Sequence, residues 1–291
     1  MESPPRITEL IMLGDPLRPG LLRDLNGPEG HEIAAPMDGI RYLYMSSTYL
    51  PRCIIPAYAN LAELRLSHVD RSSTILPQLE EILRSCHQLV FLRATNVGGS
   101  DSKAPFHSRG SVKMCSLRTI EIFDAYDASV AYFLSTLVAP VLEVLRIQAK
   151  TFFYRNGQIA SYIGQPLAIF LATSNPHLQN LSLDAVEILQ DDLVPVLQLL
   201  PHISSLRLSR MFGAARFLET LTSERLCPQL KLLVIANMTH DRPTISVPLR
   251  TLIQPEDRLP LQRLVVQGCK HFDPPHIAWL SANAPNFRLL P

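Results

Sequence analysis

A six-residue apolar pattern, L-x-x-L-x-L, recurs along the chain and constrains its fold more than any other feature. Eight complete copies follow one another at spacings of 25 to 36 residues, and all three apolar positions of each copy hold an apolar residue. The copies begin at Leu61, Leu89, Leu117, Leu142, Leu178, Ile203, Leu230 and Leu261. Alternating apolar residues predict a short strand with one buried face. One such strand cannot cover its own apolar side, so the copies must stack on one another.

Weaker copies at Ile7 and Ile40 precede this series, and a final stub follows it at Phe287 and Leu290. Between the strands the apolar period becomes helical. The residues on the predicted helical faces are Ile75, Leu79, Ile82, Leu83 and Cys86; Val130, Phe133, Leu134, Leu137 and Val138; Leu193, Val194, Val196, Leu197 and Leu200; and Phe217, Leu218 and Leu221. The alternation predicts an α/β solenoid of about ten irregular repeats, with a curved parallel sheet on the concave side and helices on the convex side.

We expect one domain over residues 1–291, with weak repeats in 1–60, regular repeats in 61–291 and two insertions. The first insertion, 96–113, is polar and rich in glycine and serine, which favours a loop. The second, 151–163, contains Asn156-Gly157 between aromatic residues, which favours a hairpin. Such a hairpin would either grip a partner or fold back on the helices of its own repeat.

A second pattern, C-P-x-L-x-x-L-x-(L/I), precedes and includes one of the later strands. It consists of Cys227-Pro228-Gln229-Leu230, then Leu233 and Ile235. Variants of its first four residues begin at Asn175, Leu200 and Ala284. Here the chain resembles the cysteine-containing leucine-rich-repeat region of F-box proteins, in the loose form common in fungi. The resemblance implies the repeat fold and, where an F-box is present, a substrate receptor of a cullin-type ubiquitin ligase.

Residues 1–50 contain no L-P-x-E-(I/L)-type segment of the kind that opens an F-box. We therefore expect binding to a Skp-type adaptor only if a missing N-terminal segment supplies the F-box. The sequence is compatible with two functions: the substrate-receptor part of a ubiquitin ligase, or a free-standing leucine-rich-repeat scaffold or inhibitor. Both are non-catalytic protein–protein recognition modules.

Composition and motifs argue against several other classes of function. A formal net charge of +1 gives no general attraction to nucleic acid or to an anionic membrane. The uncharged stretch 156–183 contains prolines and glycines, so we expect no membrane span. Five cysteines without C-x-x-C spacing indicate no disulfide framework, which favours a cytoplasmic or nuclear location. Phosphate-binding and hydrolase motifs are lacking, so we expect no enzyme, no catalytic residues and no cofactor.

One stretch carries four metal-ligand side chains within eight residues: Cys269, His271, Asp273 and His276. The alternative interpretation is that Cys269 is the buried cysteine of this repeat type and that Asp273 caps the following helix. We favour this alternative and expect no metal site.

The residues between the leucine positions of each strand point away from the core and would form columns on the concave face. Tyrosine, phenylalanine and arginine, which typically anchor protein interfaces, are frequent in these columns. The predicted partner-binding residues are Tyr42, Tyr44, Arg65, Phe91, Arg93, Glu121, Phe123, Arg146 and Arg207. The alternative is a ladder of Arg–Glu pairs, with Glu63 and Glu121 as partners, that only solubilises the sheet. Towards the C-terminus these columns become apolar at Leu232, Val234 and Val265, which predicts a covering loop or a partner.

Overall fold

The computed structural model describes residues 9–13, 39–46, 58–68, 75–97, 111–150, 163–211, 213–238, 246–253, 261–269 and 274–291. The chain divides into two compact units, residues 1–142 and 143–291. Each unit consists of parallel strands that alternate with helices.

The first unit contains a five-stranded parallel sheet, β1-β2-β3-β4-β6, whose strands lie in the order of the chain. A two-stranded pair, β5 with β7, lies outside this sheet. The elements are β1 (Glu9–Leu13), β2 (Tyr42–Ser46), β3 (Glu63–Ser67), α1 (Ile75–Ser85), β4 (Phe91–Thr95), β5 (Val112–Lys113), β6 (Thr119–Ala125), α2 (Asp127–Thr136) and β7 (Leu137–Val138).

The second unit contains a six-stranded parallel sheet in chain order, from β8 to β13. The elements are β8 (Val144–Ala149), α3 (Gly164–Ser174), β9 (Asn180–Asp184), α4 (Gln190–Gln198), β10 (Ser205–Ser209), α5 (Ala214–Ser223), β11 (Leu232–Ala236), α6 (Ser246–Ile253), β12 (Arg263–Gln267), α7 (Pro274–Asn283) and β13 (Arg288–Leu290). No helix formed by the described residues has the length and apolar character needed to cross a membrane.

The apolar columns form the core, as the sequence predicts. All 24 apolar positions of the eight complete copies are buried, and none is more than 3% exposed. Within each unit the strands pair so that equivalent positions are neighbours; Leu64, for example, lies between Leu43 and Leu92. Burial of one leucine side chain contributes about 1.5–3 kcal/mol, so this repeated layer dominates the stability. The predicted fold class, an α/β leucine-rich-repeat solenoid, is confirmed.

A column of left-handed residues lies just beyond most of the main strands. Its members are His68, Asn96, Ala185, Arg210, Asn237 and Gly268, all with positive φ; Asp124 also has positive φ but lies inside β6. At such a residue the backbone turns out of the strand, while its N–H still donates to a carbonyl at the end of the next strand. The N–H of Asn96 donates to the Phe123 carbonyl at 2.9 Å, and that of Asn237 to the Gln267 carbonyl at 2.8 Å. Asparagine, aspartate and glycine tolerate positive φ best, so these residues help to end the strands.

The predicted C-terminal stub is placed three residues out of register. Strand β13 pairs Val265 with Arg288 and Val266 with Leu289. This register puts Ala284 at the first apolar position and Phe287 at the second, whereas the sequence assigned Phe287 to the first. Ala284 is buried and Leu290 is 42% exposed. Because the first apolar position of this copy holds a small alanine instead of a leucine, the sequence did not indicate that the copy starts at Ala284.

Two predictions about helices are incomplete or wrong. Leu137 and Val138 were assigned to a helical face, but α2 ends at Thr136 and these two residues form β7. Their partner β5 lies at the end of the first predicted insertion, where the sequence indicated only a loop. Helices α3 and α6 were not predicted. Each has a proline in its first turn, where the missing N–H costs no helical hydrogen bond.

The predicted insertions lie mostly outside the described residues. At the ends of the first insertion, Val97 and Val112 are both buried. For the second, only Ile163 is described; it is buried and precedes α3. The predicted hairpin at Asn156-Gly157 lies outside the described residues and stays a prediction.

Candidate functional site

The candidate site lies on the open face of the first unit, which we define as the face of its sheet opposite the leucine columns. Strand register aligns the side chains of this face in two neighbouring rows. The first row is Ile11, Tyr44, Arg65, Arg93 and Glu121. The second row is Glu9, Tyr42, Glu63, Phe91 and Thr119. Neighbouring strands are about 4.8 Å apart, so adjacent members of a row are within contact distance.

Four of the predicted residues form an alternating stack of arginine and aromatic side chains. The Arg65 guanidinium carbon lies 5.4 Å from the centroid of the Phe91 ring. The Arg93 guanidinium carbon lies 5.6 Å from Phe91 and 5.5 Å from Phe123. These distances are typical of cation–π contacts. The sequence therefore identified residues that contact one another on three adjacent strands of this sheet.

Both arginines of the stack also form ion pairs. Arg93 Nε donates to Glu121 Oε2 at 2.6 Å, and Arg65 pairs with Glu63 on its own strand. Glu121 is buried at 2% exposure, although it lies in an open-face row. A buried carboxylate needs a charged partner, and Arg93 provides one. These contacts are those of the predicted Arg–Glu ladder, while the role of the arginines in binding stays a prediction.

A groove of about 700 Å³ lies over the first four strands of the first unit. Its lining residues are Glu9, Ile11, Tyr42, Leu43, Tyr44, Glu63, Arg65, Leu66, Ser67, Arg93 and Thr95. Four of them, Tyr42, Tyr44, Arg65 and Arg93, were predicted to bind a partner. Two of its large apolar side chains are well exposed, Ile11 at 55% and Tyr42 at 47%. The groove therefore combines exposed apolar area with several charged groups.

Sequence reasoning left Glu9 and Ile11 out of the site although both line the groove. They occupy the same columns as Tyr42 and Tyr44, one strand earlier, and their position in the columns was the available signal. The copy that contains them is weak, so its register was the least secure.

The remaining predicted residues, Arg146 and Arg207, lie on the open face of the second unit. They belong to one row with Ser182 between them. Arg146 is exposed and Arg207 is half-buried. The same row continues with Val234 and Val265. The strands of the second unit thus pair in the same register as those of the first, but the side chains on the open face differ.

The apolar part of this face, which the sequence predicts to be covered, is only partly buried. Val265 is only 7% exposed, whereas Leu232 and Val234 are half-buried. Nearby, the Nε of Arg263 is buried and has no hydrogen-bond partner among the described atoms. Whether a segment of this chain or a partner covers these residues stays a prediction.

None of the described cysteines lines the groove, and two of their thiols have a raised pKa. Burial raises the pKa of the Cys86 thiol to about 12, which keeps it protonated at neutral pH. Desolvation also raises the pKa of Cys269, whose Sγ lies 3.3 Å from the Gln267 carbonyl oxygen. Of the four residues in the metal hypothesis, His271 and Asp273 lie outside the described residues. Within the described ranges, no three His, Cys, Asp or Glu side chains form a metal-binding group.

No protein-family model matches the chain, and no curated protein matches it. Among solved structures, the chain is similar to the leucine-rich repeat-containing protein LegL7 from Legionella pneumophila. The two share 16% sequence identity with a TM-score of 0.43, over 99% of this chain and 84% of that one. The fold assignment made above depends on the buried columns and the strand register of this chain.

Proposed function

We propose that this chain is a non-catalytic protein-recognition module that binds an extended segment of a partner protein in the groove of the first unit. The observation that supports this most directly is the exposure of Tyr42 and Ile11 beside Arg65 and Arg93. Tyrosine and arginine are enriched at protein interfaces and dominate their binding energy. Folding alone stabilises such an exposed tyrosine less than a core residue, because nearly half of its surface stays in water.

The shape of the site also supports a peptide ligand. The groove extends across four neighbouring strands, which at about 4.8 Å per strand gives a span of roughly 14 Å. This width accommodates an extended segment that runs parallel to the strands, beside the five residues of β2. The backbone groups of the central strands are already used in the sheet, so side chains would provide most of the recognition.

A photo-crosslinking experiment tests this proposal. A photoreactive amino acid replaces Tyr44 in one preparation and Ile169 in another; Ile169 is 53% exposed on α3 in the second unit. In an extract of the source cells we expect a discrete adduct from position 44, removed by excess unmodified protein and by Tyr42→Ala. Identical adducts from both positions, or adducts that survive Tyr42→Ala, would contradict a binding site in the groove.

The C-P-x-L resemblance supports a finer proposal, that the module is the substrate-receptor part of a cullin-type ubiquitin ligase. The alternative is a scaffold or inhibitor that acts by binding alone, and both would be cytoplasmic or nuclear. Binding to a purified Skp-type adaptor separates them. We expect residues 1–291 alone not to bind the adaptor, since they contain no F-box-type segment. The receptor proposal requires that a longer product of the same gene carries an F-box and binds it.

A further inference from the structure

We propose that the groove selects a partner segment with a basic side chain two residues from an apolar one. The basic side chain would lie on the ring of Tyr42, between Glu9 and Glu63, and the apolar side chain would lie on Tyr44 and Ile11. This inference rests on the proposed function and specifies its ligand. Charge, exposure and spacing on the first unit support it independently.

The groove keeps a net negative charge once its described ion pairs are formed. Arg65 pairs with Glu63, and Arg93 pairs with the buried Glu121, so each arginine of the groove is already compensated. Glu9 lines the groove, is exposed and makes no ion pair among the described residues. The charge left for a ligand is therefore negative, and a cation complements it.

The exposed ring of Tyr42 lies between two acidic residues. In the strand register Tyr42 has Glu9 on one side and Glu63 on the other. The Arg65 guanidinium stacks on Phe91 of β4, on the side of β3 away from Tyr42. Tyr42 stays 47% exposed, so its ring can accept a ligand. An ammonium or guanidinium there would gain a cation–π contact and lie close to the Glu9 carboxylate.

The same arrangement disfavours an acidic ligand. A carboxylate or phosphate on Tyr42 would meet Glu9 and Glu63, which carry the same charge. The arginines could accept it only by giving up Glu63 or Glu121, and the buried Glu121 would then lose its ion pair with Arg93. This cost explains why the abundance of arginine in the groove does not indicate an acidic partner.

The distance between Tyr42 and Tyr44 sets the spacing of the basic and the apolar side chain in the ligand. Tyr42 and Tyr44 lie on the same side of β2, separated by two residues or roughly 6.6 Å. An extended ligand repeats its side chains on one side at the same interval. Ile11, 55% exposed, is the neighbour of Tyr44 in the first row and enlarges the apolar surface. The preferred ligand pattern is therefore a lysine or arginine, any residue, then an apolar residue.

Peptide selection on the full chain tests the inference. A random heptapeptide library is selected on the immobilised protein, and in parallel on Glu9→Gln, Tyr42→Ala and Glu219→Gln. Glu219 is exposed on α5 of the second unit, so its variant makes the same charge change away from the groove. We expect the wild-type and Glu219→Gln pools to be enriched in a basic residue two positions from an apolar one. The Glu9→Gln pool should lose the basic preference.

A binding measurement makes the result quantitative. One peptide from the wild-type pool, labelled with fluorescein, should bind Glu9→Gln about fivefold more weakly than wild type, the effect of roughly 1 kcal/mol. Replacing the basic residue of the peptide by glutamine should have a similar effect. Both losses should shrink at high salt, because exposed charges are screened.

The outcomes separate the two proposals. Enrichment of acidic peptides, or of basic peptides that bind Glu9→Gln as well as wild type, would overturn the basic-ligand inference and leave the groove as a binding site. Peptides that bind wild type and Tyr42→Ala equally, or no enrichment on the wild type, would overturn both. Circular dichroism of each variant confirms folding, and Glu9→Gln alone decides the inference if Tyr42→Ala fails to fold.

Discussion

The two units of the molecule share one strand register but differ in the chemistry of their open faces. In the first unit the central row runs from Ile11 and Tyr44 through two arginines to a buried glutamate. In the second unit the corresponding row begins with Arg146, continues through Val234 and Val265, and ends with Arg288. The buried leucine columns are alike in both. The comparison teaches that the buried columns determine this fold, while the open face is free to differ.

The largest expected effects come from the buried columns, and they should be equal in the two units. Leu92→Ala in the first unit and Leu145→Ala in the second each remove a fully buried side chain. We expect each to lower the free energy of unfolding by about 2–5 kcal/mol, through lost burial and a cavity. Urea denaturation measures the change. A loss below roughly 1 kcal/mol in either unit would show that its column is not close-packed.

The second prediction compares two strand ends within the second unit. Gly268 and Ala185 occupy the same left-handed column, yet a Cβ on Gly268 would lie 2.3 Å from Asn237 Oδ1. Gly268→Ala should therefore cost more than the roughly 1–2 kcal/mol that the left-handed backbone imposes on alanine.

An Asn237→Gly background provides the control, because glycine keeps the positive φ and removes the obstructing amide. In that background Gly268→Ala should cost less than it does in the wild type, as thermal unfolding can measure. An equal cost in both backgrounds would exclude the side-chain contact as the cause.

These examples show how far the sequence alone could predict the fold. All 24 leucine-type positions were predicted correctly because a period that repeats eight times leaves few alternative registers. The terminal copy was misplaced because Ala284 does not look like a leucine position. Strand β7 was missed because its partner lies in a segment whose composition indicates a loop. A pattern that repeats along the chain predicts strand positions even where one residue is ambiguous, whereas a single strand pairing has no repeated pattern to indicate it.

The candidate site was less predictable for a different reason. The columns identified Tyr42, Tyr44, Arg65 and Arg93, all of which line the groove. They could not show that Glu121 is buried or that the arginines are already paired, because pairing depends on side-chain conformation. Glu9, which makes no ion pair among the described residues and on which the ligand inference depends, stands out only after those pairs are assigned.

The third prediction tests the ion pairs on the two open faces. Arg93 and Glu121 in the first unit are 34% and 3% exposed, whereas Arg210 and Asp184 in the second are 38% and 23% exposed. Glu121→Gln should lower the free energy of unfolding by about 1–3 kcal/mol, since it removes a charged hydrogen bond at a buried group. Asp184→Asn should cost about 0–1 kcal/mol, because solvent screens that pair. Equal losses in denaturant titrations would contradict the difference in burial.

The smallest expected effects come from single arginines on the two open faces, and they sharpen the comparison most. Arg207→Ala in the second unit should change the free energy of unfolding by no more than about 0.5 kcal/mol, as for most surface substitutions. Arg65→Ala in the first unit also removes the contact with Phe91, worth about 0.5–1 kcal/mol at an exposed site. Adding Phe91→Leu isolates that contact: in a double-mutant cycle the coupling between Arg65 and Phe91 should account for most of the Arg65 effect. A coupling energy near zero would mean that the stack does not stabilise the first unit. The contact between Arg65 and Phe91 would then have no measurable role in folding, which would leave partner recognition as the more direct explanation for these two residues.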